Sequence, residues 1–272
     1  MKQVVAILGG KRDGNTHNLL KFLEKLLNQN AVDLEIINLN EREIEDCRGC
    51  ENCVLGDGCV VEDDMPNIMK VMEKKDGIII ASPVYNNNVS GKMKMFIDKT
   101  VKWAHSPILT SKPYIGLSTT SSSGLNMTLR YLTIVGVNWG AHPIGNIWAS
   151  KRTINMKKNK AVLSKFIASI NQDPKKHRPT LNQIIKFQTK KVLAEAVFPN
   201  DLAYWREKNW LDMPYYYECK INPFYRLMGS FFHWMLLKIL SNAVKNYKSK
   251  IGTGDGYIQL QSREGDIELQ LF

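Results

Sequence analysis

Through the first 150 residues, short strand-like runs alternate with segments of helical period, and that alternation limits the possible folds more than any other feature of the chain. Gln3 to Leu8 is a short apolar run closing on Gly9-Gly10, and Thr16 to Leu27 then places Leu19, Leu20, Leu23, Leu26 and Leu27 at helical spacing. Leu34 to Leu39 reads as a strand and Met65 to Met72 as a helix. Gly77 to Ser82 is a strand rich in isoleucine, Lys92 to Trp103 a helix, and Pro113 to Ser118 a strand, while Val135 to Gly145 supplies the last strand. This order predicts an α/β fold, a doubly wound parallel five-stranded sheet with helices on both faces. Ligands of such sheets bind beyond the carboxyl ends of the strands, so the loops there are where chemistry is expected.

The first of these loops is Gly9-Gly10-Lys11-Arg12-Asp13-Gly14-Asn15-Thr16. Glycines let the backbone approach an anion, the amides at the helix start near Asn15 and Thr16 point toward it, and Lys11 and Arg12 add positive charge, so a phosphate suits it. An ordinary strand-to-helix turn capped by Asn15 or Thr16 would look the same. The loop is not a Walker loop and lacks a full dinucleotide fingerprint. The second loop runs Ser82-Pro83-Val84-Tyr85-Asn86-Asn87-Asn88-Val89-Ser90-Gly91. A rigid proline, an aromatic ring and several amides suit a flat heterocycle that needs stacking and hydrogen bonds along its edge. A third, Thr119-Thr120-Ser121-Ser122-Ser123-Gly124, supplies hydroxyls.

Four of the five cysteines fall in one segment, Cys47, Cys50, Cys53 and Cys59, spaced C-x2-C-x2-C-x5-C, with Cys219 alone elsewhere. Four soft ligands in one loop favour an iron-sulfur cluster or zinc over a hard cation, and the compact spacing favours the cluster. A reduced loop of free thiols is the competing reading. The crowding suits a reducing compartment, and the apolar stretch Val4 to Leu8 is too short for a signal peptide, so a cytoplasmic protein is expected.

Together, G-G-K-R-D-G-N-T and S-P-V-Y-N-N-N-V-S-G-K-M-K-M-F-I-D resemble the flavin-binding loops of the NADPH-dependent FMN reductase family, a flavodoxin-like group, over roughly residues 1 to 150. The resemblance implies FMN as cofactor. It assigns Gly10, Lys11, Arg12, Asn15 and Thr16 to its phosphate and Pro83, Val84, Tyr85, Asn86 and Asn87 to its ring, with Thr119 and Ser121 contributing hydroxyls. Relatives usually have Ser where this chain has Gly10, which leaves the phosphate hydroxyl to Thr16. The cysteine segment, placed after the second strand and before Asp63-Asp64-Met65, resembles that of the iron-sulfur flavoproteins. That likeness implies that Cys47, Cys50, Cys53 and Cys59 ligate a 4Fe-4S cluster passing electrons to FMN. Asp63 and Asp64 have a plain role as helix caps. With a cofactor carrying the chemistry, no catalytic triad or acid/base pair is expected, and neither His17 nor His105 is assigned a proton-transfer role.

The chain carries a net charge of +11, unevenly placed: residues 151–250 hold 20 Lys/Arg against 6 Asp/Glu. No nucleic-acid motif accompanies the charge, so solvated helix faces are expected and nucleic acid is not. The division expected is residues 1–175 as the FMN domain, 176–250 as a basic, aromatic-rich helical extension with helices at Leu181 to Val197 and Met228 to Tyr247, and 251–272 as a tail with hairpin-like alternation. Phe224 to Leu240 is too short and too charged to span a membrane. It suits packing in a homo-oligomer, or contact with a membrane surface. Three functions fit: an FMN electron-transfer oxidoreductase with a cluster and a ferredoxin-like partner, a clusterless NAD(P)H-dependent reductase of FMN, quinones or other small acceptors, and a flavin-based redox-sensing module.

Overall fold

The structure is a computed structural model that describes residues 1–251 apart from 57 and 152, together with 259–263 and 266–270. β1 (Lys2–Leu8) leads through α1 (Asn15–Asn28) into β2 (Val32–Asn38), which is followed by a single 3-10 turn, Leu39–Glu41, and the one-turn α2 (Asn52–Leu55). Next come α3 (Met65–Lys74), β3 (Gly77–Pro83), α4 (Gly91–Asp98), α5 (Val101–His105), β4 (Pro113–Thr120), α6 (Leu125–Asn138), β5 (His142–Ser150) and α7 (Met156–Ile170). The remainder is α8 (Leu181–Ala196), α9 (Pro199–Glu207), α10 (Pro223–Ile251) and an antiparallel pair, β6 (Gln259–Arg263) with β7 (Asp266–Gln270).

The sheet has five strands in the order β2-β1-β3-β4-β5, and every neighbouring pair in it is parallel. Successive side chains of a strand face opposite ways, so both faces must be covered. Val5, Ile7, Ile78, Ile80 and Tyr114 pack with Met72, Phe96, Trp103, Leu132 and Trp139 from α3 to α6 and its flank. Val4, Ala6, Leu8, Ile79, Ala81 and Leu117 pack instead with Leu20, Leu23, Leu27, Leu163 and Phe166 from α1 and α7. The fold is flavodoxin-like, as expected.

Three expectations are corrected. The last strand is His142–Ser150, not Val135 to Gly145, because Val135 lies in α6, where its apolar neighbours face the sheet at helical spacing. The helix read over Lys92 to Trp103 breaks between Asp98 and Val101. There the Lys99 ammonium turns inward to the Asp63 carboxylate, and the Thr100 hydroxyl donates to Ile97 O at 2.6 Å. The last helix starts at Pro223, and α9 occupies part of what reads as a connector. In the tail, Leu260, Ile267 and Leu269 lie in the paired strands, while Tyr257, Ile258 and Leu271 fall outside the described residues.

Beyond α7 the chain builds a third apolar core from Ile184, Phe187, Trp205, Trp210, Tyr215 and Tyr216. Phe187 meets the rings of Trp205 at 5.3 Å and Tyr216 at 4.7 Å, and Trp210 Nε1 donates to Tyr216 O at 2.9 Å. Polar contacts attach this core to the sheet portion. Trp205 Nε1 donates to His105 O at 3.2 Å, Lys190 Nζ donates to Asn138 O, and His177 stacks on His142 with ring centres 4.3 Å apart.

Candidate functional site

Hydrogen bonds between the loops after β1, β3 and β4 set their spacing on one edge of the sheet. The Gly9 amide donates to Ala81 O at 2.8 Å and the Val84 amide to Thr119 O at 2.8 Å. Ser90 Oγ donates to Gly9 O at 2.5 Å while its own amide donates to Ser82 Oγ at 2.9 Å, and Ser118 Oγ donates to Ser82 O at 2.8 Å. Ser90 also caps α4, accepting from the Met93 amide at 3.3 Å. One buried serine thus joins two loops and a helix start.

These loops enclose a cleft of about 210 Å³ lined by Gly10, Lys11, Gly14, Asn15, Thr16, Pro83, Val84, Tyr85, Thr119, Thr120 and Ser121. The fourteen-residue α1 begins here with Gly14 as its cap and without a side-chain cap bond, so its first amides are free for an external acceptor. Gly10 lies close under Pro83: a side chain at that position would begin 3.3 Å from the proline Cδ. The Thr16 and Thr119 hydroxyls share a hydrogen bond of 2.6 Å. Tyr85 is 56% exposed, leaving a ring face open for stacking. A helix end free for an anion, one lysine, a glycine against proline and an open aromatic ring fit a phosphorylated flat heterocycle.

Three residues named from sequence stand outside the lining. Arg12 instead makes a bidentate pair with Glu41, Nε to Oε1 and Nη2 to Oε2 both at 2.7 Å. Asn86 and Asn87 have φ of 46° and 64° and form the two-residue turn closed by the Tyr85 amide on Asn88 O at 2.8 Å. That turn needs two residues in the left-handed region, which asparagine tolerates. Gly124, with φ of 81°, closes onto it, since a Cβ there would lie 2.7 Å from Asn87 Cα. Gly14 and Thr120 line the cleft without having been singled out; their position in the two loops was the available signal.

The four cysteines line a second cavity, of about 650 Å³, together with Val61, Asp98, Val101, His105, Val197 and Phe198. It shares no lining residue with the first cleft. Cys47, Cys50 and Cys59 are exposed and Cys53, in α2, is half-buried. Burial, reinforced by the neighbouring thiols of Cys59, Cys47 and Cys50, pushes the Cys53 thiol up from its ordinary value. Among the described residues no three His, Cys, Asp or Glu side chains are set to hold a single metal ion. Four thiols around one cavity nonetheless have the donor chemistry of a cluster.

The ends of the cysteine segment are tied together by two carboxylates. Asp63 accepts from the Glu45 amide and the Met65 amide, each at 3.0 Å, and pairs with Lys99, both side chains being almost wholly buried. Asp64 accepts from the Glu43 amide at 3.0 Å. Burial alone would raise the Asp63 carboxyl, but Lys99 and the two amides outweigh it and hold it below the usual range. Asp63 therefore holds the first amide of α3, whereas Asp64, expected as a cap and standing at the N-cap position, makes no side-chain cap bond; both aspartates instead clamp the loop, which was not expected.

The far wall of the cavity comes from the C-terminal helices. Val197 and Phe198 line it, Asn200 Nδ2 donates to Leu55 O, and Asp201 Oδ2 holds His105 Nδ1 at 2.8 Å. His105 and Phe198 meet edge to face at 4.8 Å. Nothing in the local sequence around Asn200 and Asp201 signals this role.

A five-stranded parallel sheet in this order, with ligand loops beyond its carboxyl edge, defines the flavodoxin-like class of flavin proteins. Residues 2–154 match the model of the NADPH-dependent FMN reductase family, and the chain belongs to that family of FMN-binding flavoprotein oxidoreductases. An iron-sulfur flavoprotein of Archaeoglobus fulgidus is 33% identical over 147 residues, 53% of this chain and 66% of the relative. An iron-sulfur flavoprotein of Clostridioides difficile is 26% identical over 197 residues, 68% of this chain and 86% of the relative. The chain spans between about half and two thirds of the length of the first curated relatives it matches. The crystal structure of a flavodoxin, WrbA-like protein of Agrobacterium tumefaciens is 18% identical over 63% of this chain and 96% of that one, with a TM-score of 0.41.

Proposed function

We propose that the chain is an FMN-dependent electron-transfer oxidoreductase with two redox centres, FMN in the cleft over β1, β3 and β4 and a 4Fe-4S cluster on Cys47, Cys50, Cys53 and Cys59. The observation that carries the reading is that four thiols line one cavity in a chain whose family binds FMN. FMN supplies one- and two-electron chemistry, and a cluster supplies single-electron exchange. The first-turn amides of α1 and Lys11 would hold the phosphate, and Pro83 to Tyr85 would border the ring. Val197 and Phe198 supply apolar lining to the cysteine cavity. The electrons would come from a ferredoxin-like partner or from NAD(P)H.

A second reading, favoured by the family match over residues 2–154, is a clusterless NAD(P)H-dependent reductase of FMN, quinones or other small acceptors. An ultraviolet-visible spectrum with iron and sulfide assays on protein purified without oxygen separates the two. Flavin bands with about four irons per chain support the first reading. Flavin alone, with oxidation of NAD(P)H, supports the second. Protein that binds no FMN overturns both, and iron content unchanged by Cys50→Ser with Cys53→Ser overturns the cluster.

A further inference from the structure

The helix α10 packs on α8 along one side, where Gly229 is buried so closely that a Cβ there would lie 2.6 Å from Ile184 Cγ2, and His233 pairs with Glu195 at 3.3 Å. Its other side is uncovered. Phe224, Leu227, Phe231, Trp234, Met235 and Ile239 are 60, 67, 56, 59, 36 and 55% exposed, and their spacing of three and four residues puts them on one stripe. Isolated exposed apolar side chains need no explanation, but a continuous stripe of this size marks a surface that is covered in use.

The charges around the stripe select what covers it. The sequence of α10 contains no Asp or Glu and five basic residues, Arg226, Lys238, Lys245, Lys248 and Lys250. Lys238 stands over the Trp234 ring at 5.4 Å, within the stripe. A second copy laid on this face would bring basic helices together with no carboxylate in either to pair them. An anionic surface that also accepts aromatic and aliphatic side chains satisfies both features at once, and a bilayer of acidic lipids is such a surface. Among the described residues no helix is long and apolar enough to cross a membrane, so the contact would lie in the interface plane.

We propose that α10 is a membrane-surface helix that docks this chain on anionic lipid through the stripe from Phe224 to Ile239. The aromatic rings enter the headgroup boundary and Lys238, beside Trp234, faces the lipid phosphates. The site needs neither redox centre, so its failure is independent of the functional reading above.

The test is co-sedimentation of the flavin-loaded full chain with phosphatidylglycerol vesicles and with phosphatidylcholine vesicles, beside a light-scattering mass in lipid-free buffer. Binding to the acidic vesicles, weakened by high salt, is expected. It should fall roughly tenfold or more in a Phe231→Ser, Trp234→Ser double variant whose flavin content and circular dichroism are unchanged. Lys238→Glu should weaken it as well, without altering the mass. No binding to acidic vesicles overturns the proposal. So does a lipid-free dimer that the double variant dissociates, because the stripe is then covered by a second copy.

Discussion

Ser90 Oγ lies 2.5 Å from the carbonyl oxygen of Gly9, a bond between the loop after β3 and the loop after β1. Ser90 Oγ also accepts from the Met93 amide, so the cap of α4 and the position of the first loop depend on one hydroxyl. Ser90→Ala removes a cap and a buried hydrogen bond together, a loss of about 1–2 kcal/mol in folding stability. Because the Gly9 loop also loses its anchor, the Kd for FMN should rise; calorimetric titration of apoprotein with FMN measures it. An unchanged Kd would place the cleft's rigidity elsewhere.

Lys99 and Asp63 form a pair with side chains only 2 and 1% exposed. Lys99→Met strands the carboxylate in the core and should lower unfolding free energy by about 3–5 kcal/mol, with Lys99→Met, Asp63→Asn recovering part of it. The Asp63 carboxyl is held below its ordinary 3.8, so its contribution is present above that pH and is lost as pH falls below it through the lower folded-state value. Urea unfolding at stepped pH should show the wild type losing its advantage over the double variant in acid.

His142 and His177 stack in parallel, and each has a buried Nδ1 without a hydrogen-bond partner among the described residues. Burial, then the neighbouring His177, lowers the His142 pKa to about 4, well below its ordinary 6.5. The unfolded chain binds that proton first, so stability is full above pH 6.5 and declines as pH falls toward 4. The decline should reach about 3 kcal/mol. His142→Phe keeps a flat ring without the proton, and its melting temperature should change less over that range than that of the wild type.

In metal-free protein the four loop thiols should differ in reactivity. Cys53 is half-buried and its thiol is raised by burial, so alkylation by iodoacetamide followed by mass spectrometry should find it modified last. Asp201→Ala removes the partner of His105 Nδ1 on the cavity wall and should narrow the difference. Equal rates for all four in the wild type would show that the wall does not shelter Cys53.

The first four strands in chain order are legible because a parallel sheet buries both faces and writes its strands as short apolar runs, those of β1, β3 and β4 running into glycine or hydroxyl residues. The last strand is misplaced because Val135-Gly136-Val137, the end of α6, reads as the start of an extended run. Packing against β4 makes it helical, with the Tyr114 hydroxyl bonding to Leu132 O at 2.8 Å. The cysteines are conspicuous in sequence, but their enclosure is not. Asp201 meets His105 across 96 residues of chain, and Asp63 meets Lys99 across 36, separations at which no local pattern survives. Arg12 shows the converse: its place in the first loop suggested an anion, and Glu41 took it.

The helix α8 is a rod of 16 residues, roughly 24 Å long, touched by α10 at Ile184 and Glu195 and leading directly into Val197 and Phe198 on the cavity wall. A rod gripped along its length moves as one piece. The exposed stripe of α10 and the wall of the thiol cavity therefore share one support, and displacing α10 along α8 would shift Val197 and Phe198 with it.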